Sequence, residues 1–143
     1  MSIRSVIRLL GYLGLIPFVI PAVLVAFNSE FSGVAIQVAD TYSFGIICFL
    51  TGSWWGMSSS TDNRALILFS NFYFLVAFFL LISFSLWWPL SASLLLMSIF
   101  LLEQKKSLFP SLPHFYRQMR AVLTLLSSAS MLVIHLARST DIG

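Results

Sequence analysis

The sequence predicts an all-α fold, an integral membrane bundle of five transmembrane helices, and three observations predict it. Of its 143 residues, 59% are apolar and only 9% are charged, whereas water-soluble domains carry roughly one-quarter charged residues. The apolar residues gather into blocks at 8–27, 34–57, 65–102 and 120–137, which approach or exceed the roughly 18–20 residues that cross a bilayer as helix. No run alternates apolar with polar residues in the manner of a membrane strand. Loops between the blocks are short, so residues 1–143 are expected to form a single membrane domain.

The first block follows Arg4 and Arg8 in "MSIRSVIRLLGYLGLIPFVIPAVLVAF" and resembles a secretory leader. It is longer than a leader's apolar region, is interrupted by Pro17 and Pro21, and lacks a small-x-small cleavage site, because Leu24 lies two residues before Ala26. It is therefore expected to be a retained first span over 8–27.

The second span, 34–57, carries Thr41, Gly45, Gly52 and Gly56 within about 40° of one another at 100° per residue. Such a stripe without bulk lets another backbone approach closely in lipid. Packing inside the bundle is the first expectation, a homodimer seam the second and a ligand channel the third. Trp54 projects away from the stripe and is expected as an interfacial anchor, while Trp55 flanks it and either covers the groove or stacks on a ligand. Cys48, the only cysteine, lies in this span, which excludes an intrachain disulfide and a Cys-based zinc framework.

Residues 65–102 are too many for one crossing of a hydrocarbon core about 30 Å thick at about 1.5 Å per residue. "SFSLWWPLSAS" supplies the bend: serines, Trp87 and Trp88 for the headgroup region, and Pro89 to restart a helix. This gives spans at 65–83 and 87–102. The segment 103–119 contains Pro110 and Pro113, which discourage helix, and the fifth span is expected at 120–137.

Positive charge tests the count, since short cytoplasmic segments carry excess Lys and Arg. With five spans and a cytoplasmic N-terminus, Arg4, Arg8, Arg64, Lys105, Lys106, Arg117 and Arg120 fall inside and only Arg138 outside. The C-terminus is then periplasmic. The basic residues are scattered at helix ends with no aromatic-interleaved surface, so nucleic acid is not an expected partner.

Polar groups in lipid are expensive and point to function. Asp40, His135 and Arg138 share the outer end in this topology. Asp40 is expected to cap the second span, with an ion pair to His135 or Arg138 as the alternative. Asn71, Tyr73, Thr124, Ser127, Ser128 and Ser130 are expected as hydrogen-bonding glue between or within helices.

Much catalytic chemistry is absent. "GSWWG" has its serine in the wrong position for a nucleophile elbow. Asp62, Glu103 and Asp141 adjoin polar or basic surface segments, so no carboxylates pair in the membrane for acid–base work. His114 and His135 are expected on opposite sides of the bilayer and cannot share a metal or haem. No enzyme activity, cofactor or metal is expected.

Three segments in order, "LGYLGLIPFVI", "FLTGSWWGM" and "PHFYRQMRAVLT", resemble the transmembrane-protein-69-like family of small membrane proteins, a domain of unknown function. By position, the resemblance implies signature residues at Gly11, Gly14, Pro17, Gly52, Trp55, Gly56, Tyr116, Arg120 and Thr124. Where family members commonly carry His or Arg before the Trp-Gly of the second motif, this chain has Trp54. Together with the lack of an Arg-rich transit segment, the resemblance implies a multi-pass protein of a bacterial inner membrane.

The expected function is non-enzymatic: binding a lipid-like or quinone-like ligand, or serving as an accessory subunit of a membrane assembly. Trp55, Asn71 and the glycine stripe would line the cytoplasmic half. Tyr116 and Arg120 would sit at headgroup level, where Arg120 anchors topology or holds an anionic head. The alternative is a homodimeric small-solute or proton-coupled transporter with Asp40 and His135 as its coupling pair. The expected partners are the bilayer and a second copy or membrane complex.

Overall fold

Helix breakers and polar turns divide the chain at the places the sequence marks for them. The structure, a computed structural model, describes residues 2–110 and 112–140; Asp141, expected at the surface, lies outside them. Helices α1 (Ile3–Leu13) and α2 (Ile16–Ala26) together make the first span, followed by α3 (Ser32–Thr61), α4 (Arg64–Ser83), α5 (Trp88–Glu103) and α6 (His114–Thr140). Among the described residues there is no strand, and five helical segments are long and apolar enough to cross a membrane. The expected limits move outward: the first span reaches back to Ile3, the second runs from Ser32 to Thr61 rather than over 34–57, and the last begins at His114 rather than 120 and ends at Thr140 rather than 137.

Local chemistry explains the breaks. Pro17 stands in the first turn of α2, where its missing N–H leaves no bond unmade. The Phe18 amide bonds Leu15 instead of Gly14, and the freed Gly14 carbonyl accepts a hydrogen bond from the Tyr42 hydroxyl at 3.1 Å. Between α3 and α4, Asp62 takes the left-handed conformation at φ 48° and Asn63 caps α4, accepting from the Ala65 amide. The expected bend at Trp87–Pro89 is present: Ser85–Trp87 forms one 3₁₀ turn and Pro89 lies in the first turn of α5.

The polarity of the bundle is inverted relative to a protein in water. Leu68, Phe72, Leu75, Phe79 and Leu125 are more than half exposed. Ser43, Thr51, Ser70, Ser93, Thr124 and Ser128 are buried. A lipid solvent produces this arrangement, since hydrocarbon tolerates apolar side chains and rejects hydroxyls.

Some hydroxyls join helices. Ser93 of α5 donates to the Ser128 carbonyl of α6 at 3.1 Å while Ser128 returns a bond to the Ser93 carbonyl at 3.3 Å. Ser70 of α4 donates to the Thr51 carbonyl of α3 at 2.7 Å. Ser127 and Ser130 bond carbonyls within their own helix.

Three expectations about which side chains face inward are corrected. The stripe of Thr41, Gly45, Gly52 and Gly56 does not pack inside the bundle: a Cβ added at Gly45, Gly52 or Gly56 meets nothing within 4 Å. The face of α3 that turns inward instead carries Ala35, Ala39, Ser43, Ile47, Leu50 and Trp54. Trp54 is therefore no interfacial anchor; it is fully buried, edge-on to Tyr73 and tilted against Phe109. Trp88 is also fully buried, donating to the Asp40 carbonyl at 3.1 Å and the Ser43 hydroxyl at 3.0 Å, whereas Trp87 stays exposed.

The serine clasp sets an energetic expectation. Ser93→Ala and Ser128→Ala should each lower stability by about 0.6 kcal/mol, the average found for hydrogen bonds in membrane bundles, and the two losses should add, because each hydroxyl bonds a backbone carbonyl that the other substitution leaves in place. Unfolding in mixed micelles measures it; a double variant as stable as the unaltered protein would show that the hydroxyls do not form these bonds.

Candidate functional site

The site is built where α5 ends early. Sixteen residues of α5 rise about 24 Å at about 1.5 Å each, less than a hydrocarbon core of about 30 Å. Its last residue, Glu103, is only 2% exposed. The expected surface position of Glu103 is thus corrected, and a buried carboxylate requires a partner.

Helix α6 supplies that partner. Arg120 Nε donates to Glu103 Oε2 at 2.9 Å, and Trp54 Nε1 donates to Oε1 at 3.4 Å. One helical turn earlier, Arg117 donates to the carbonyls of Glu103 at 3.0 Å and Phe109 at 2.6 Å, with a longer bond to Leu112 at 3.4 Å. These carbonyls are the ones a helix end and an irregular loop leave without intrahelical donors. A guanidinium has enough donors in one plane to serve several of them.

Beside this cluster lies a cavity of about 400 Å³, within the roughly 300–1,000 Å³ usual for small-molecule sites. Its apolar wall includes Leu10, Phe18, Ile46, Leu50, Leu96 and Leu123. Tyr42, Tyr116, Arg120 and Ser127 add its polar groups. Leu10 and Phe49 line it and are 63% and 71% exposed, which marks its opening on the outer apolar surface. Gly11 also lines it, and a Cβ there would lie 3.0 Å from Met119 Sδ, so the missing side chain lets α1 close against α6. Arg120 is 6% exposed, yet its Nη2 is buried without a hydrogen-bond partner.

The structure brings together only part of the expected ligand set. Tyr116 and Arg120 share the cavity wall. Trp55 is 50% exposed on the outer surface, and Asn71, also exposed, donates to the Ile67 carbonyl within its own helix; neither lines the cavity. Both fail for one reason: the faces of α3 and α4 that carry them turn outward. Arg120 is also not free at headgroup level, because Glu103 claims it. The signal for Glu103 was the brevity of the fourth span, which leaves a charge at its end with little depth to escape through.

At the opposite end of the bundle, Arg138 Nη1 lies 3.5 Å from Asp40 Oδ2 and 3.4 Å from the Ser85 carbonyl. Asp40 does not cap α3, which starts eight residues earlier at Ser32. His135 packs its ring against Trp87 at 5.3 Å between centroids, and its Nδ1 is buried without a partner, as is Asp40 Oδ1. Among the described residues no three His, Cys, Asp or Glu side chains gather as metal ligands.

A family model described as a protein of unknown function (DUF3429) matches residues 3–136, nearly the whole chain. The chain belongs to the DUF3429 family. The matched region takes in the first four spans and the Glu103–Arg120 cluster and ends within α6, two residues before Arg138. The match supports a domain of unknown function, while the transmembrane-protein-69-like name rests on the three quoted motifs. No curated protein and no solved structure matches the chain.

The ion pair makes a separable prediction. Arg120→Met should lower stability by about 3 kcal/mol or more, because it strands a buried carboxylate. Adding Glu103→Gln, which keeps an acceptor for Trp54 Nε1, should restore most of the loss. Thermal unfolding of the two variants in the same detergent decides it; a double variant no more stable than the single one would mean that the pair is not buried as described.

Proposed function

We propose that this protein is a non-enzymatic, multi-pass membrane protein that binds an amphipathic molecule, lipid-like or quinone-like, in the cavity beside Arg120. The observation that carries this reading is Arg120, more than nine-tenths buried and with an unpartnered Nη2, among the lining residues of a largely apolar cavity that opens on the outer surface of the bundle. An unsatisfied donor away from water costs roughly 1–3 kcal/mol, more for charged groups, and a ligand with an acceptor at its polar end removes that cost. The apolar remainder of the ligand would continue the lipid-facing surface. Service as an accessory subunit of a larger assembly is compatible with the same site, the ligand then being held for a partner. The positive-charge bias supports a bacterial inner membrane with the N-terminus and the Lys105 segment on the cytoplasmic side.

Purification in a mild, lipid-retaining detergent followed by native mass spectrometry tests this. The protein should retain a ligand in near-stoichiometric amount, and Leu123→Trp, which fills the cavity from α6, should release it. Trp55→Ala and Asn71→Ala, outside the cavity, should not. Retention indifferent to Leu123→Trp would place any bound lipid elsewhere.

A second reading, a homodimeric transporter, is favoured by the open glycine face, where a Cβ added at Gly45, Gly52 or Gly56 would meet no packed neighbour within 4 Å. A second copy seated there would give the symmetry that five spans in one chain lack. The Asp40–Arg138 pair would then lie on the transport path. Proteoliposomes should show solute or proton flux that Asp40→Asn abolishes; a monomer without flux counts against this reading.

A further inference from the structure

We infer that Arg4 and Arg8, gathered over the Phe115 ring, hold the phosphate of an anionic phospholipid, one of whose acyl chains enters the cavity. This rests on the cavity being a ligand site, as proposed above, and it names the head of the ligand and the residues that take it. Arg4 and Arg8 stand one turn apart on α1, a spacing at which like charges repel. Both guanidiniums nevertheless converge on one side chain of α6, with their Cζ atoms 5.3 and 5.8 Å from the centroid of Phe115. A ring face attracts a cation, but it supplies no hydrogen-bond acceptor of the strength an arginine fork is built for, which is phosphate or carboxylate.

The chain offers this pair no carboxylate. The ion pairs among the described residues are Arg120 with Glu103 and Arg138 with Asp40. Both Arg4 and Arg8 are exposed, so their donors are open to a ligand from outside. Arg117 adds to the positive field at this end, because its bonds to the carbonyls of Glu103, Phe109 and Leu112 leave its charge in place. The pair also sits where a lipid head would have to be. Ile7, between the two arginines, and Gly11, three residues after Arg8, line the cavity on α1. Tyr116, next to Phe115, and Met119, one turn further, line it on α6. The seam between α1 and α6 thus runs from two cations at the end of the bundle to an apolar cavity that opens toward lipid at Leu10 and Phe49. A phospholipid has the same order of parts, whereas a free phosphate would use only the first.

The test titrates the intact protein in dodecyl maltoside with dioleoyl phosphatidylglycerol and dioleoyl phosphatidylcholine, counting bound lipid by native mass spectrometry. Phosphatidylglycerol should bind ten-fold or more tightly than phosphatidylcholine. The double variant Arg4→Gln/Arg8→Gln should remove that preference and change phosphatidylcholine less than three-fold. Lys105→Gln/Lys106→Gln removes equal charge from exposed residues on neither α1 nor α6 and should weaken phosphatidylglycerol less than three-fold. Leu123→Trp should weaken both lipids. The ranking on the unaltered protein does not depend on whether a variant folds. Equal binding of the two lipids, or equal loss in the arginine and lysine double variants, overturns the headgroup assignment and leaves the cavity site standing. Displacement of phosphatidylglycerol by millimolar inorganic phosphate, with Leu123→Trp without effect, assigns the pair to a free anion and overturns the lipid. Binding of neither lipid, with nothing retained on native purification, overturns both this inference and the cavity site.

Discussion

The contact on which the rest of the site depends is the buried pair between Glu103 and Arg120. A charge at the end of a short membrane helix has two options, to reach the interface or to find a partner at depth. Glu103 takes the second. That choice fixes α6 against α5 at one height, brings Trp54 of α3 into the same cluster through its indole N–H, and places Arg117 where it can satisfy the carbonyls of the loop. Three helices and one irregular segment are thereby registered at one end of the bundle.

The opposite end uses weaker means to the same purpose. Arg138 reaches Asp40 and the Ser85 carbonyl, and Trp88 donates to the Asp40 carbonyl and Ser43, so α3, α5, α6 and the 3₁₀ turn meet there. Between the ends, the Ser93–Ser128 clasp holds α5 to α6 and Ser70 ties α4 to α3. Lipid supplies no hydrophobic force between helices, so hydrogen bonds and close packing must set the register. The ends differ: one holds a shorter, buried charge pair beside a cavity, the other a longer, partly exposed pair.

The extent of the spans was legible in the sequence because it depends on length and charge, which a chain displays directly. Trp87–Pro89 marked the bend. What the sequence concealed was which face of each span looks inward. In water an apolar stripe points to the core, but a membrane helix is apolar on both sides, and the direction must come from its few polar or small residues. On α3 that inference failed: the small residues Gly45, Gly52 and Gly56 look outward, while Ser43, Thr51 and Trp54 look in. Trp55 and Asn71 were carried out of the site by the same error. Tyr116 and Arg120 reached the cavity because α6 shows its hydroxyls, Thr124, Ser127 and Ser128, on the side toward the bundle.

The position of Arg120 also argues against a purely topological role. A charge needed only to keep a helix end on one side works best at the surface, where the first turns of α6 already expose the polar side chains of His114 and Gln118. Arg120 lies deeper, only 6% exposed, and only part of its guanidinium is occupied by Glu103. If the pair existed solely to neutralise Glu103, an apolar pair of similar volume would serve as well or better, since burying both charges costs several kcal/mol each before their attraction offsets it. What an apolar pair cannot do is offer hydrogen-bond donors at this depth: the Arg120 guanidinium meets the Glu103 carboxylate through Nε and leaves Nη2 without a partner.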